Sequence, residues 1–388
     1  MTAHSTGEGV LEPSLDAPGE DGPGPSPGEE MRSGRWRGLL VWSASSAPVG
    51  LLLVAGIAIG PGGINLLSLS TLTLLDPVVP VALATFGVLI GLSATDRRTD
   101  GARMLGAACL AATVTVLIVS AGFGVVALTA MSSVAGPFWI LILTGGLCAA
   151  TSLTLPSDSL EPRSAATGIV ELGVLLPIVA GGLMLAWLRA GSFAGAAVLV
   201  AHACGVTLAL AAAAWLLLTR ASSETEERVV AVSALLLVGG VAAALSLSAL
   251  FGGLVAGLLW RYAGRHPRET IRRDVLFVQH PLLVLVLLVA GARADLSFST
   301  LAFGVAYVVL RVAGQLAAGT VARRVAGVGA LRHLGLHLLP PGVFGVGFAL
   351  NVASVVGTDA SLLLAAVVVG TIGSEFVAVV LPPRSVRE

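Results

Sequence analysis

Apolar segments of about twenty residues recur along the chain from residue 39 to residue 382, and they limit its possible folds more than any other feature. A segment of this length is long enough to cross the hydrocarbon core of a bilayer as one helix. The composition agrees, because 56% of the residues are hydrophobic and only 11% are charged. The sequence therefore predicts an all-α integral membrane protein that crosses the bilayer many times.

Breaks at charge clusters and turn residues divide the apolar sequence into twelve predicted transmembrane spans, of which the eighth is short. The spans cover residues 39–60, 76–94, 103–129, 136–155, 165–188, 192–218, 227–247, 249–262, 274–292, 298–320, 332–355 and 359–382.

The arginines give the orientation of these spans, since positively charged residues are retained in cytoplasmic loops. With a cytoplasmic N-terminus, the inside loops and tails hold nineteen of the 22 basic residues, all of which are arginine. The outside loops hold only Arg189 and Arg293, and Arg311 lies within a span. We therefore expect both termini to be cytoplasmic and the protein to lie in the cell membrane.

The first thirty residues differ from the rest, because they are rich in Gly, Pro, Ser and acids and lack the pattern of a signal peptide. We expect residues 1–37 to be a disordered cytoplasmic segment, residues 38–383 to form the membrane domain and residues 384–388 to be a short cytoplasmic tail. Met31 is a second candidate start of translation.

Several function classes are disfavoured by the sequence. The net charge of zero gives no indication of a nucleic-acid partner. No Walker loop, no H-E-x-x-H motif and no convincing set of nucleophile, base and acid is present, so we do not expect an enzyme. We expect no cofactor and no bound transition metal.

Two predicted spans are interrupted at corresponding places in the two halves of the chain. The fourth contains "GGLCAATSLTLPSD" (145–158) and the eleventh "HLLPPGVFGVGFALN" (337–351). Proline removes a backbone donor and clashes with the preceding turn, so Pro156 and the Pro340-Pro341-Gly342 run should break or end their helices. Broken helices in corresponding positions indicate a transporter with inverted repeats, here spans 3–5 and 10–12, and a binding site near the bilayer midplane.

Five phrases resemble the monovalent cation:proton antiporters, the sodium/hydrogen exchanger superfamily. They are "GIAIGPGGINLLSLSTLTLLDPVVPVALATFGVLIGL" (56–92), "ALFGGLVAGLL" (249–259), "HPLLVLVLLVAGARADLS" (280–297), "LRVAGQLAAG" (310–319) and "HLLPPGVFGVGFAL" (337–350). The resemblance covers nearly the whole chain after residue 38. It implies one bundle for dimerisation and one for transport, two broken helices that cross, and a homodimer in the lipid bilayer that exchanges Na⁺ or K⁺ for H⁺.

The resemblance also implies a carboxylate on the fifth span that binds the cation or a proton. Family members usually have a polar pair there, and the matching positions here are Val170 and Glu171. The break in the fourth span commonly reads Ala-Thr-Asp, where this chain has Ala150-Thr151-Ser152. The chain therefore lacks the first polar residue of the pair and the second carboxylate.

Glu171 is a candidate binding residue without the resemblance, because an ionisable group inside a membrane span is costly and usually functional. Ser164, Thr167 and Glu171 lie on one face of the fifth span. With a rise of about 1.5 Å per residue, Glu171 lies roughly 10 Å and Arg311 roughly 13 Å below the cytoplasmic boundary, so the two charges would gain by meeting. Thr151, Ser152, Thr167 and backbone carbonyls at the break are candidates to complete an oxygen shell for the cation.

Each charged candidate has an alternative interpretation. Glu171 is either the ion and proton site or a protonated partner in a bond between helices. Arg311 is a structural charge that caps the negative ends of broken half-helices or pairs with an acid. Glu375 is a second candidate carboxylate, either the partner of Arg311 or a residue near the interface with water.

Three functions fit these features, of which a cation:proton antiporter fits best. The second is a sodium-coupled carrier of a small organic solute on the same architecture. The third is a membrane protein that has kept the scaffold and does not transport.

Overall fold

The structure is a computed structural model that describes residues 49–93, 101–130, 138–152, 165–245, 248–262, 265–326 and 334–380. These ranges contain fifteen α-helices and no named strand. In chain order the helices are α1 (Val49–Ile59), α2 (Leu69–Leu75), α3 (Val78–Ser93), α4 (Gly101–Ala130), α5 (Phe138–Ala150), α6 (Ala165–Gly173), α7 (Leu175–Ala190), α8 (Phe193–Leu218), α9 (Glu224–Ala244), α10 (Ala249–Tyr262), α11 (Arg265–Arg293), α12 (Phe298–Ala326), α13 (Leu334–Leu338), α14 (Val343–Val356) and α15 (Ser361–Val380).

Every predicted span coincides at least in part with one or two of these helices. Seven described stretches are long and apolar enough to cross a membrane, and α2 with α3 forms an eighth that bends by 43°. Helices α1, α10 and α14 are apolar but shorter. The multi-pass, all-α prediction is confirmed, whereas the number twelve stays a prediction. The proposed disordered segment, the start at Met31 and Pro156 lie outside the described residues.

Prolines account for two of the interruptions. Between α6 and α7 the helix breaks at Val174, because Pro177 has no N–H to donate to the carbonyl of Gly173 four residues before it. Pro77 separates α2 from α3, where Arg293 of α11 binds both the Asp76 carboxylate and the carbonyl of Leu72. The sequence analysis placed a span over 76–94 and missed the short helix before it.

Two halves of the chain repeat one arrangement, a long helix, an interrupted helix and a further span. The first repeat is α4, the α5 segment and α6–α7, and the second is α12, the α13–α14 segment and α15. Helix α4 packs along α12, α5 packs against α14, and α15 packs against both α12 and α14. We call α4, α5 and α12 to α15 the crossing group, since the interrupted segments meet within it.

In a second set of helices, glycines allow the backbones of neighbouring helices to approach each other closely. Helix α3 packs against α10 so tightly that a Cβ on Gly87 would meet the carbonyl oxygen of Leu250, and one on Gly253 that of Ala84. Helix α1 packs against α11 in the same way, with the Gly291 Cα 3.0 Å from the position of a Cβ on Gly56. Small residues at helix contacts are typical of membrane bundles. We call α1, α3 and α8 to α11 the glycine-packed group.

Candidate functional site

Two interrupted helices meet at the centre of the crossing group. Helix α5 ends at Ala150, and α13 ends at Leu338 before α14 begins at Val343. Residues 151–152, after α5, and residues 339–342, between α13 and α14, are not helical. Ser152 of the first segment forms an isolated antiparallel bridge with Pro341 of the second. The prediction of two broken helices that cross is confirmed.

The crossing leaves no room for a side chain at Gly342 or at Gly345. A Cβ on Gly342 would lie 3.0 Å from the carbonyl oxygen of Thr151. At Gly345 a Cβ would lie 2.6 Å from the Thr151 hydroxyl and 2.7 Å from the carbonyl oxygen of Cys148. Thr151 itself is buried, and its hydroxyl donates a 2.7 Å hydrogen bond to that carbonyl. The glycines therefore permit the two backbones to approach each other.

We expect Gly345→Ala to lower the free energy of unfolding by about 1 to 3 kcal/mol, because the new methyl group would overlap backbone and force the crossing apart. Gly145→Ala is the matched control, since its Cβ would find the nearest atom, Leu363 Cδ1, at an ordinary 3.7 Å. Thermal unfolding of both variants in detergent measures the difference. Equal stabilities would contradict the close approach at Gly345.

Arg311 of α12 lies at the crossing and is only 2% exposed. Its Nε donates to the carbonyl oxygen of Ala149 at 3.3 Å, and its Nη1 to that of Leu339 at 3.0 Å. The Nη2 atom donates to the carbonyl oxygens of Thr151 at 3.1 Å and Pro340 at 3.3 Å. One guanidinium thus binds the ends of both interrupted helices.

The last carbonyls of a helix have no partners within it and carry the negative end of the helix dipole. A buried carbonyl oxygen that is left without a donor costs about 1 to 3 kcal/mol. A guanidinium supplies five donors in a fixed plane, which suits several carbonyls at once. Arg311 therefore satisfies, in one side chain, carbonyls from both half-helices.

Gln315 is a crossing residue that the sequence analysis missed. It is 1% exposed, lies one turn after Arg311 on α12, and donates a 2.8 Å hydrogen bond from Nε2 to the carbonyl oxygen of Ala149. The sequence feature that could have identified Gln315 is its spacing of four residues from Arg311, which places both side chains on one face of the helix.

Glu171 is half-buried on α6, a helix that packs against α4 and α13. Its neighbours Ile169 and Val170 are buried in a cluster with Ala318 of α12 and Leu338 of α13. This packing fixes α6 against the crossing group, with the carboxylate on a less enclosed face. Thr167 lies on the same helix, and its side chain is outside the described part of the structure.

The hydrogen-bond acceptors of Arg311 among the described residues are backbone oxygens, although the sequence analysis considered an acid as its partner. Glu375 is bonded elsewhere, since its Oε2 accepts from the backbone N–H of Gly50 in α1. Thr151 and Ser152 are brought together with Arg311 at the crossing, and both are buried. The carbonyl oxygen of Thr151, one of the backbone carbonyls at the break that were considered for a cation, accepts a hydrogen bond from the guanidinium.

The part of the chain that the structure describes contains no cluster of three or more His, Cys, Asp or Glu residues that could hold a metal ion. What the site offers chemically is one carboxylate on a helix fixed to the crossing, hydroxyls at the break and a buried positive charge. A carboxylate can bind a proton or a monovalent cation, and hydroxyl oxygens are suitable additional ligands for a cation.

Comparison with known proteins gives the fold independently. No protein-family model matches the sequence, and no curated protein matches it. Among solved structures, the sodium proton antiporter MjNhaP1 from Methanocaldococcus jannaschii, determined at pH 8, is similar with a TM-score of 0.57. The match covers 91% of this chain and 96% of that chain at 14% sequence identity. The protein therefore has the fold of a sodium/proton antiporter, in agreement with the resemblance seen in the sequence.

Proposed function

We propose that the protein is a secondary transporter that exchanges a monovalent cation, Na⁺ or K⁺, for protons by alternating access. The observation that carries the proposal is the crossing of two interrupted helices around a buried Arg311, on a fold shared with a sodium proton antiporter. Crossed, interrupted helices of inverted repeats are where transporters of this general type bind their substrates.

Glu171 is the proposed shared site for the proton and the cation. A carboxyl group that holds either ligand, and never both, couples the release of one to the arrival of the other. Hydroxyls of Thr167, Thr151 and Ser152 are the proposed additional oxygen ligands. Arg311 is the structural charge that holds the two interrupted segments together.

Flux in proteoliposomes is the test of this function. With an imposed pH gradient, addition of Na⁺ or K⁺ to vesicles that contain the full chain should move protons, whereas protein-free vesicles should not respond. A response to Na⁺ only when an organic solute is also present would indicate a coupled carrier instead. No response to either cation over a wide pH range would indicate a scaffold without transport.

We expect the exchange to be electroneutral, one proton for one cation. Val170 stands beside Glu171, so only one exchangeable charge remains at this position unless Glu375 contributes. The measurement imposes a membrane potential with valinomycin and K⁺ and follows Na⁺-driven proton flux at fixed chemical gradients. A reversal point that shifts with potential would contradict the expectation and imply a second titrating carboxylate.

A cell-membrane location with both termini in the cytoplasm and a homodimer in the bilayer completes the proposal. The arginine distribution supports the orientation. Accessibility of single cysteines placed in the 220–223 loop and in the 294–297 loop would test it, because the proposed orientation puts the first inside and the second outside.

A further inference from the structure

The Glu375 carboxyl group lies at a contact between the two groups of helices. It belongs to α15 of the crossing group, and it contacts Gly50 of α1, a helix that packs against α11 in the glycine-packed group. Ile372, one turn before Glu375, lies beside the same residue, with its Cα 3.7 Å from the position of a Cβ on Gly50.

The bond at this contact depends on the charge of the carboxyl group. Oε2 of Glu375 accepts a hydrogen bond from the backbone N–H of Gly50 in α1. An ionised carboxylate is a stronger hydrogen-bond acceptor for a backbone N–H than a protonated carboxyl group. Protonation of Glu375 therefore weakens this bond.

Gly50 is fitted to this carboxylate. A Cβ at residue 50 would lie 2.6 Å from Oε2 of Glu375, so any other residue would displace the carboxylate from this N–H. Residue 50 is buried and Glu375 is half-buried. The contact is therefore close and specific to these two residues.

The backbone N–H of Gly50 is the partner that the structure gives to Glu375, and the helices around Glu375 carry few other charged side chains near it. In their described parts α1, α5 and α14 carry no acidic or basic side chain, and Glu375 is the one such residue of α15. Helix α12 carries Arg311, which binds the crossing carbonyls, and the exposed Arg323 and Arg324. Helix α11 carries an exposed His280, the charged residues of its first three turns and Arg293, which binds Asp76 at the far end.

We propose that Glu375 is a second proton-binding site, whose ionised form holds α15 to α1 at Gly50 and whose protonated form weakens that contact. Acidification then loosens a junction between the crossing group and the glycine-packed group. Relative motion of such groups is what alternating access requires, so this part of the inference connects to the proposed function. The proton site and the contact themselves do not depend on which ion, if any, is transported.

Hydrogen exchange of the full chain in detergent, followed by mass spectrometry on the peptide that contains Gly50, tests the contact directly. At about pH 7.5, Glu375→Gln and Gly50→Ala should each accelerate exchange of this peptide by about 3- to 30-fold. The first variant removes the charge and keeps the shape, and the second displaces the carboxylate and keeps the charge. Glu269→Gln and Gly240→Ala are controls, since Glu269 is exposed and a Cβ at Gly240 meets nothing within 4 Å.

The pH dependence distinguishes a proton site from a fixed structural bond. After correction for the intrinsic exchange rate, the wild-type peptide should approach the rate of the Gln variant as the pH falls toward about 4. A wild-type protein that exchanges like the Gln variant at neutral pH, or a difference that is constant over the whole pH range, would overturn the proposal. If Glu375→Gln does not fold, Glu375→Asp keeps the charge on a shorter side chain and should lie between the two. Absence of cation flux would refute the proposed transport and leave this result unaffected.

Discussion

Replacement of Arg311 by methionine should lower the free energy of unfolding by about 3 to 5 kcal/mol. Methionine fills a similar volume and donates no hydrogen bond, so the carbonyls of Thr151, Leu339 and Pro340 lose their donor at a crossing where Arg311 is 2% exposed. Gln315 would still donate a hydrogen bond to the carbonyl oxygen of Ala149. The change should separate the two half-helices more than it alters any ion site.

Thermal unfolding in detergent measures this effect, with Arg323→Met as the control on the same helix, because Arg323 is exposed. Arg311→Lys should give an intermediate loss, since an ammonium group is a compact charge that lacks the planar set of donors. An unchanged melting temperature for Arg311→Met would show that water, and not the guanidinium, satisfies these carbonyls. In the same protein, cation affinity should change less than stability does.

Glu171→Gln should reduce cation:proton exchange to the level of vesicles without protein. Glutamine keeps the shape of the side chain and loses the titrating group, so neither a proton nor a cation finds its anionic partner. Glu171→Asp should retain part of the flux, because it keeps the charge on a side chain shorter by one methylene. Both variants should unfold at close to the wild-type temperature, since Glu171 lies on a half-buried face of α6.

Flux under a pH gradient measures this prediction, and Glu226→Gln is the control, since Glu226 is an exposed acid at the start of α9. Full exchange in the Gln variant would remove Glu171 from the proposed site. Glu375 would then be the next residue to test, although its bond to Gly50 assigns it another role here.

Much of the architecture could be predicted from the sequence, because bilayer crossing and proline impose strong local rules. The break at Pro340-Pro341-Gly342 and the helix Ala249–Tyr262 were both predicted at the residues where the structure has them. In the fourth span the described helix ends at Ala150, and two residues later Ser152 forms a bridge with Pro341 of the opposite chain segment. A contact between distant segments leaves no local signal.

The partners of the buried charges were harder to predict for a related reason. Counting residues along a helix gives the depth of a side chain, and on that basis Arg311 and Glu171 were expected to gain by meeting. Depth does not give the direction in which a side chain points around its helix. In the structure Arg311 donates to backbone oxygens and Glu375 accepts from a backbone N–H. Every residue has a backbone acceptor and every residue except proline has a backbone donor, so the sequence does not single out these partners.

The close contact of α3 with α10 also sets an order of assembly during synthesis. About 160 residues separate Gly91 from Gly253, and the two helices approach so closely that each glycine abuts the backbone of the other helix. At a rate of synthesis of about 5 to 20 residues per second, α10 is synthesised roughly 8 to 32 s after α3. During this interval the glycine face of α3 has only lipid or a temporary neighbour against it. Helices α3 and α10 therefore pair late, inside the bilayer, after at least five helices that lie between them in the sequence have been inserted.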